Sequence, residues 1–253
     1  MFDLFFAVIL FIFGSMIGSF LSCIVYRLEQ GKSFLGGRSF CPKCRHYLSW
    51  TDLFPVLSYI FLGGRCRYCK QRISPQYPLI ELATGLLFVS FLSASPSLPN
   101  LIFNLTAVSI LIIIFVFDLK HYIIPDGAVY LAIGLALVRF FYFGNYENIL
   151  YALSFSFFFF LLLVLVSKGK WMGVGDVKFA LFMAFFLGWP NVLVALFVSF
   201  VLGALVGIFL VFRGKKSMSS EVPFGPFLVI GTLFAMLEGE KIVDWYTSLF
   251  LIQ

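Results

Sequence analysis

The chain has 253 residues, is 61% hydrophobic and 12% charged, and carries a formal net charge of +6. That composition excludes a soluble domain, whose surface could not stay dispersed, and no alternating ten-residue segments suggest a β-barrel. An all-α polytopic membrane protein is expected.

Eight apolar segments follow in chain order, at about 4–25, 78–93, 99–117, 127–143, 149–166, 176–189, 191–212 and 224–237. The first has no small-residue cleavage site after it and reads as a retained helix rather than a removed signal peptide. Segment six is short and ends at the turn signal Gly188-Trp189-Pro190-Asn191, so it needs tilt or a locally thin bilayer. The tail from Ile242 to Gln253 is amphipathic, too short to span, and expected on the membrane surface. The organisation predicted is a first transmembrane helix over 1–25, a polar loop over 26–77 and a helical membrane domain over 78–253.

Lysine and arginine set the topology. The loop 26–77 holds Arg27, Lys32, Arg38, Lys43, Arg45, Arg65, Arg67, Lys70 and Arg72. Lys120 follows segment three, Lys168, Lys170 and Lys178 lie between segments five and six, and Arg213, Lys215 and Lys216 follow segment seven. Sixteen of the 18 basic residues thus fall on one side, leaving Lys241 opposite and Arg139 inside segment four. That side is the cytoplasm, so both termini face away from it. The basic charge is topogenic, with a secondary attraction for anionic lipid, and does not indicate nucleic acid.

The cytoplasmic loop contains Cys41-Pro42-Lys43-Cys44 and Cys66-Arg67-Tyr68-Cys69. Two C-x2-C knuckles can turn four sulfurs onto one zinc ion, and a closed four-thiolate site is structural because it leaves no position for water. Free or disulfide-paired cysteines are the alternative, and a cytoplasmic location argues against disulfides. Zinc would help this loop fold. Cys23, in segment one, reads as ordinary packing.

Asp118 ends segment three in Phe117-Asp118-Leu119-Lys120-His121, and Asp176 opens segment six in Trp171-Met172-Gly173-Val174-Gly175-Asp176-Val177-Lys178. The topology gives both one depth, at the cytoplasmic face. Carboxylates are costly at a membrane boundary and suggest a site, and two that meet can share a proton and activate water. Singly, Asp118 could pair with Lys120 or His121, and Asp176 could cap its helix. Glycines at 173 and 175 allow close backbone approach beside it. Asp126, after Pro125, reads as a cap or turn residue. Glu81 and Glu221 could meet a basic peptide, although ordinary helix-end roles explain them as well. His121 has no serine or cysteine partner for a nucleophilic triad.

In order, Gly14-Ser15-Met16-Ile17-Gly18 through Tyr26-Arg27, the paired knuckles, Tyr77-Pro78 with Glu81, Asp118 with Ile124-Pro125-Asp126, Gly173-x-Gly175-Asp176-x-Lys178 and Pro223-Phe224-Gly225-Pro226 resemble the prepilin peptidases, membrane aspartic proteases of the GxGD type. The resemblance covers essentially the whole chain, departing at Ser22-Cys23 and Gln76. It implies eight transmembrane helices, catalysis by Asp118 and Asp176, and cleavage of the basic leader of a type IV prepilin or pseudopilin after glycine. It also implies methylation of the new amino terminus with S-adenosylmethionine, around the first cytoplasmic loop. Two other readings remain: a peptidase without methyl transfer, which the cysteine loop disfavours, and a non-enzymatic transporter or scaffold whose zinc loop docks a partner. No internal repeat supports the last.

Overall fold

The computed structural model describes residues 2–31, 37–144, 146–168, 172–213 and 222–251. Lys32, Lys170, Trp171, Lys215, Lys216, Glu221 and Gln253, named above, lie outside them. The chain is helical, in the order α1 (Phe2–Glu29), α2 (Leu57–Phe61), α3 (Gln76–Ala94), α4 (Leu98–His121), α5 (Asp126–Phe143), α6 (Tyr146–Ser167), α7 (Val174–Leu187), α8 (Asn191–Phe212) and α9 (Gly225–Leu251). Two compact units divide it, 1–113 and 114–253.

Among the described residues, six helices are long and apolar enough to cross a membrane: Leu4–Glu29, Gln76–Ala94, Leu98–His121, Asp126–Phe143, Ile149–Ser167 and Asn191–Phe212. The other two expected crossings fall short for different reasons. Helix α7 has 14 residues, about 21 Å at 1.5 Å per residue, against a hydrocarbon core of about 30 Å. Helix α9 starts apolar, but its second half carries Glu238, Glu240, Lys241 and Asp244. It also runs unbroken to Leu251, so the tail is a continuation of the last helix rather than a separate surface segment.

In the first unit α1 packs against α3 through small residues. A Cβ on Gly18 would meet Thr84 Oγ1 at 2.7 Å and Glu81 Cα at 2.8 Å, and one on Gly85 would meet Ser15 Oγ at 2.6 Å. Lipid tails are as apolar as leucine, so helices in a bilayer gain by close backbone approach, which these residues permit. Thr84, Ser90 and Ser22 return their hydroxyls to carbonyls of their own helices, which satisfies them without water.

In the second unit α7 is the interior element, packed against α5, α6, α8 and α9. Phe179, Phe182, Met183 and Ala184 along it are fully buried. Arg139, left inside an apolar segment by the sequence, is explained here. Its guanidinium on α5 donates to the carbonyl of Phe186, near the C-terminus of α7, and lies 4.5 Å over the Phe186 ring. A carbonyl near a helix end is thereby capped by a cation.

Candidate active site and metal centre

Asp118 occupies the last turn of α4 and is 3% exposed. Its carboxylate accepts the N–H of Gly225, and its Oδ2 is buried with no hydrogen-bond partner among the described residues. The His121 ring, one turn on, lies against Phe117. After α4 the chain turns through Tyr122, at φ 59°, and carries buried Ile124 to Pro125, the N-cap of α5.

Asp176 is 7% exposed. It is not the N-cap: α7 begins at Val174, Gly173 caps it, and Asp176 is the third helical residue. From there its Oδ2 accepts the N–H of Gly173 at 3.0 Å. A glycine cap has no side-chain acceptor, so only the returning half of a capping box forms.

Two segments of the site pack on Ile124. A Cβ on Gly175 would lie 3.1 Å from Ile124 Cβ, and one on Gly225 would lie 3.2 Å from Ile124 Cγ1 and 2.5 Å from Asp118 Oδ2. Only glycine at 225 lets the Asp118 carboxylate rest on the backbone that donates to it. Asp176 is close enough to feel the charge of Asp118. Residues separated by 58 positions in sequence are thus both buried near Ile124, and a buried carboxylate oxygen left without a partner is a group available to a ligand.

Asp126 does more than the turn role expected of it. It is the first residue of α5, and Lys178 Nζ donates to its Oδ1 at 2.7 Å while lying 5.0 Å over the Tyr130 ring. This pair ties the start of α5 to the start of α7, two residues beyond Asp176. Sequence reading missed it, since opposite charges 52 positions apart carry no local signal. It also missed Gly225 and Ile124, although both sit in segments that stood out.

In the first unit the knuckles fold alike. Cys41 N donates to His46 O and Arg45 N to Cys41 O; Cys66 N donates to Gln71 O and Lys70 N to Cys66 O. Arg45 and Lys70, each directly after the second cysteine of its pair, both take the left-handed conformation, at φ 57° and 58°. Antiparallel bridges Phe40–Tyr47 and Arg65–Arg72 close the two loops. One sulfur from each of Cys41, Cys44, Cys66 and Cys69 lies within 4.8 Å of the others, and Cys41 Sγ is 3.9 Å from Cys69 Sγ. Zinc–sulfur bonds of about 2.3 Å in a tetrahedron place sulfurs about 3.8 Å apart, so the set fits a four-thiolate metal. Burial raises the Cys41 thiol, but the N–H groups of Cys44 and Lys43 and the neighbouring sulfurs outweigh it and bring it to about 7. The N–H of His46 favours the Cys44 thiolate, yet desolvation and the sulfurs of Cys41 and Cys69 push it up to about 11. Crowded thiols divide in this way when no cation stands between them, and a divalent metal removes the conflict.

Glu81, in the second turn of α3, is 9% exposed. It accepts the N–H of Val56 at 2.7 Å and the hydroxyl of Ser19.

The profile of the Bacterial Peptidase A24 N-terminal domain matches residues 12–94, which include the knuckles. That of the Type IV leader peptidase family matches residues 105–208, which include Asp118 and Asp176. The chain is 32% identical to the prepilin leader peptidase/N-methyltransferase of Bacillus subtilis (strain 168), over 96% of this chain and 98% of that one. It is 30% identical to the Aeromonas hydrophila protein of that name, over 96% and 94%, and 31% identical to the Legionella pneumophila one, over 93% and 92%. No solved structure matches the chain. Two matching profiles, and relatives aligned along nearly the whole length, converge on one conclusion: the chain belongs to the prepilin leader peptidase/N-methyltransferase family.

Proposed function

We propose that the protein cleaves the basic leader of a type IV prepilin or pseudopilin after glycine, at the cytoplasmic face of the inner membrane, and methylates the amino terminus so released. The observation that carries the peptidase reading is the burial of Asp118 and Asp176 on segments that both pack against Ile124, with one carboxylate oxygen unpartnered. Two carboxyl groups at close range cannot easily both ionise, so one is charged and one protonated. The charged one takes a proton from water as its oxygen attacks the scissile carbonyl carbon. The protonated one gives its proton to the carbonyl oxygen. Collapse of the tetrahedral species breaks the C–N bond, and the leaving amine takes up a proton. No metal is needed at this centre, and zinc in the four-cysteine cluster is structural.

This reading has the chain cross the membrane eight times, with α7 as a short crossing and the first half of α9 as the last one. Both termini are then outside and both aspartates at the cytoplasmic rim. The substrate's apolar segment stays in lipid while its leader reaches the aspartates. The proposed division remains a first helix over 1–25, a zinc loop over 26–77 that belongs to methyl transfer, and a peptidase domain over 78–253. Bound S-adenosylmethionine supplies an electrophilic methyl group to the freed amine. Nucleic acid has no part in it.

The purified protein, incubated with a full-length prepilin and S-adenosylmethionine, is expected to yield a mature chain heavier by one methyl group by mass spectrometry. Unmodified mature pilin would reduce the activity to that of a peptidase alone, and uncut prepilin would remove the reading altogether. A sharper prediction concerns geometry. Gly225→Ala puts a methyl group where Asp118 Oδ2 lies and is expected to lower the cleavage rate about 10²-fold, the cost of a misplacement of about 1 Å. Cleavage at the wild-type rate would show that this approach does not matter.

A further inference from the structure

Within the first unit, a cavity of about 190 Å³ lies among the C-terminal half of α1, the start of α3 and the cysteine knuckles. Cys41 and Cys66 form part of its wall, and the rings of Tyr26, Phe40, Tyr59 and Tyr77 line it. Two acids line it, Asp52, which is paired with Arg67, and the buried Glu81. A carboxylate accepts about four hydrogen bonds, and Glu81 receives two, from Val56 N–H and the Ser19 hydroxyl. Among the described residues no cation pairs with it. The wall also holds Arg67, bound to Asp52 at 2.6 Å, Arg38, 5.7 Å over the Tyr47 ring, and Arg27, which donates to Gly37 O at 2.8 Å.

A buried carboxylate without an ion-pair partner is costly, and its cost falls when a cation reaches it. The backbone it holds is strained as well. Val56 has φ 61° and ψ −49°, a region that a β-branched residue enters only when its surroundings compel it, and such strain collects at ligand sites. Tyrosine and phenylalanine faces add attraction for a positive group. We infer that this cavity binds an organic cation, with Glu81 as its counter-charge and the aromatic wall around the cation's apolar substituents.

The identity of the cation rests on the methyl-transfer reading above, which offers two sources of one chemistry: the sulfonium of the methyl donor and the ammonium of the freed amino terminus. Binding by the zinc-loaded full chain in detergent separates them. One arm compares S-adenosylmethionine with S-adenosylhomocysteine, which lacks the charged sulfur. The other compares a peptide beginning with a free phenylalanine amine with its N-acetylated form. Glu81→Gln, checked for unchanged zinc content, is expected to weaken the cationic member of one pair at least about tenfold and leave its uncharged counterpart unaffected. Equal binding of both cations to wild type and Glu81→Gln overturns the inference. Should that variant lose zinc, the wild-type chain answers instead: a hydrophobic carbodiimide labels Glu81, and the bound cation protects it while the uncharged analogue does not. No protection by either cation is equally fatal. Wild-type protein that cleaves and methylates while failing these tests sinks the cavity assignment and leaves the proposed function standing.

Discussion

Asp118→Asn and Asp176→Asn are each expected to lower prepilin cleavage by about 10²–10⁴-fold, the share that general acid–base assistance supplies. Asparagine is nearly isosteric, so the fold has little reason to change. At 176 its amide oxygen can still accept the Gly173 N–H that anchors the start of α7. At 118 it can still accept from Gly225. What each variant loses is the ability to ionise, and the pair then has no proton to share. The two residues act as one unit, so the double variant is expected to be no slower than the worse single one. The measurement is the first-order rate of leader removal by purified, correctly inserted protein, with thermal unfolding as a control on folding. A variant that unfolds like wild type and still cleaves at the wild-type rate would remove that aspartate from the mechanism.

Much of this site was legible in the sequence because membranes make charge informative. Asp118 and Asp176 stood out as acids at the ends of apolar runs, and the asymmetry of lysine and arginine gave them one depth. The bundle's helices followed from the apolar runs themselves. What stayed hidden depends on contacts between distant segments. Nothing local tells that Gly225 lies beneath Asp118 Oδ2, or that Ile124 packs against Gly175 and Gly225. The Lys178–Asp126 pair joins α5 to α7 across the bundle, where Asp126 alone reads as a turn residue. Boundaries slipped for a related reason. Hydropathy starts segment six at Asp176, whereas hydrogen bonding starts α7 at Val174, because glycine and valine complete the first turn. The tail from Ile242 reads as a separate surface segment, but no proline interrupts the chain there, and α9 continues through it to Leu251.

Stripping zinc is expected to unfold the loop between α1 and α3, because little else is buried there. From residue 37 to 75, only Cys41 and Cys66 are buried. Tyr47, Trp50, Phe54, Leu57, Ile60 and Phe61 are all exposed, so the loop has no apolar core of its own. Its hydrogen bonds contribute about 1 kcal/mol each at best, and the Arg67–Asp52 pair, with Arg67 half exposed, adds little. A structural zinc site contributes about 10–16 kcal/mol, far more than any single one of these interactions. Metal analysis should give one zinc per chain, and Cys41→Ser with Cys66→Ser should reduce it to none. Limited proteolysis should then cut within the knuckles, where the loaded protein resists. Protons compete with metal for thiolates, so acid should release zinc and produce the same cutting pattern. A loop that stays protected in the metal-free double variant would mean that some other interaction holds the knuckles, and the four cysteines would lose their assigned role.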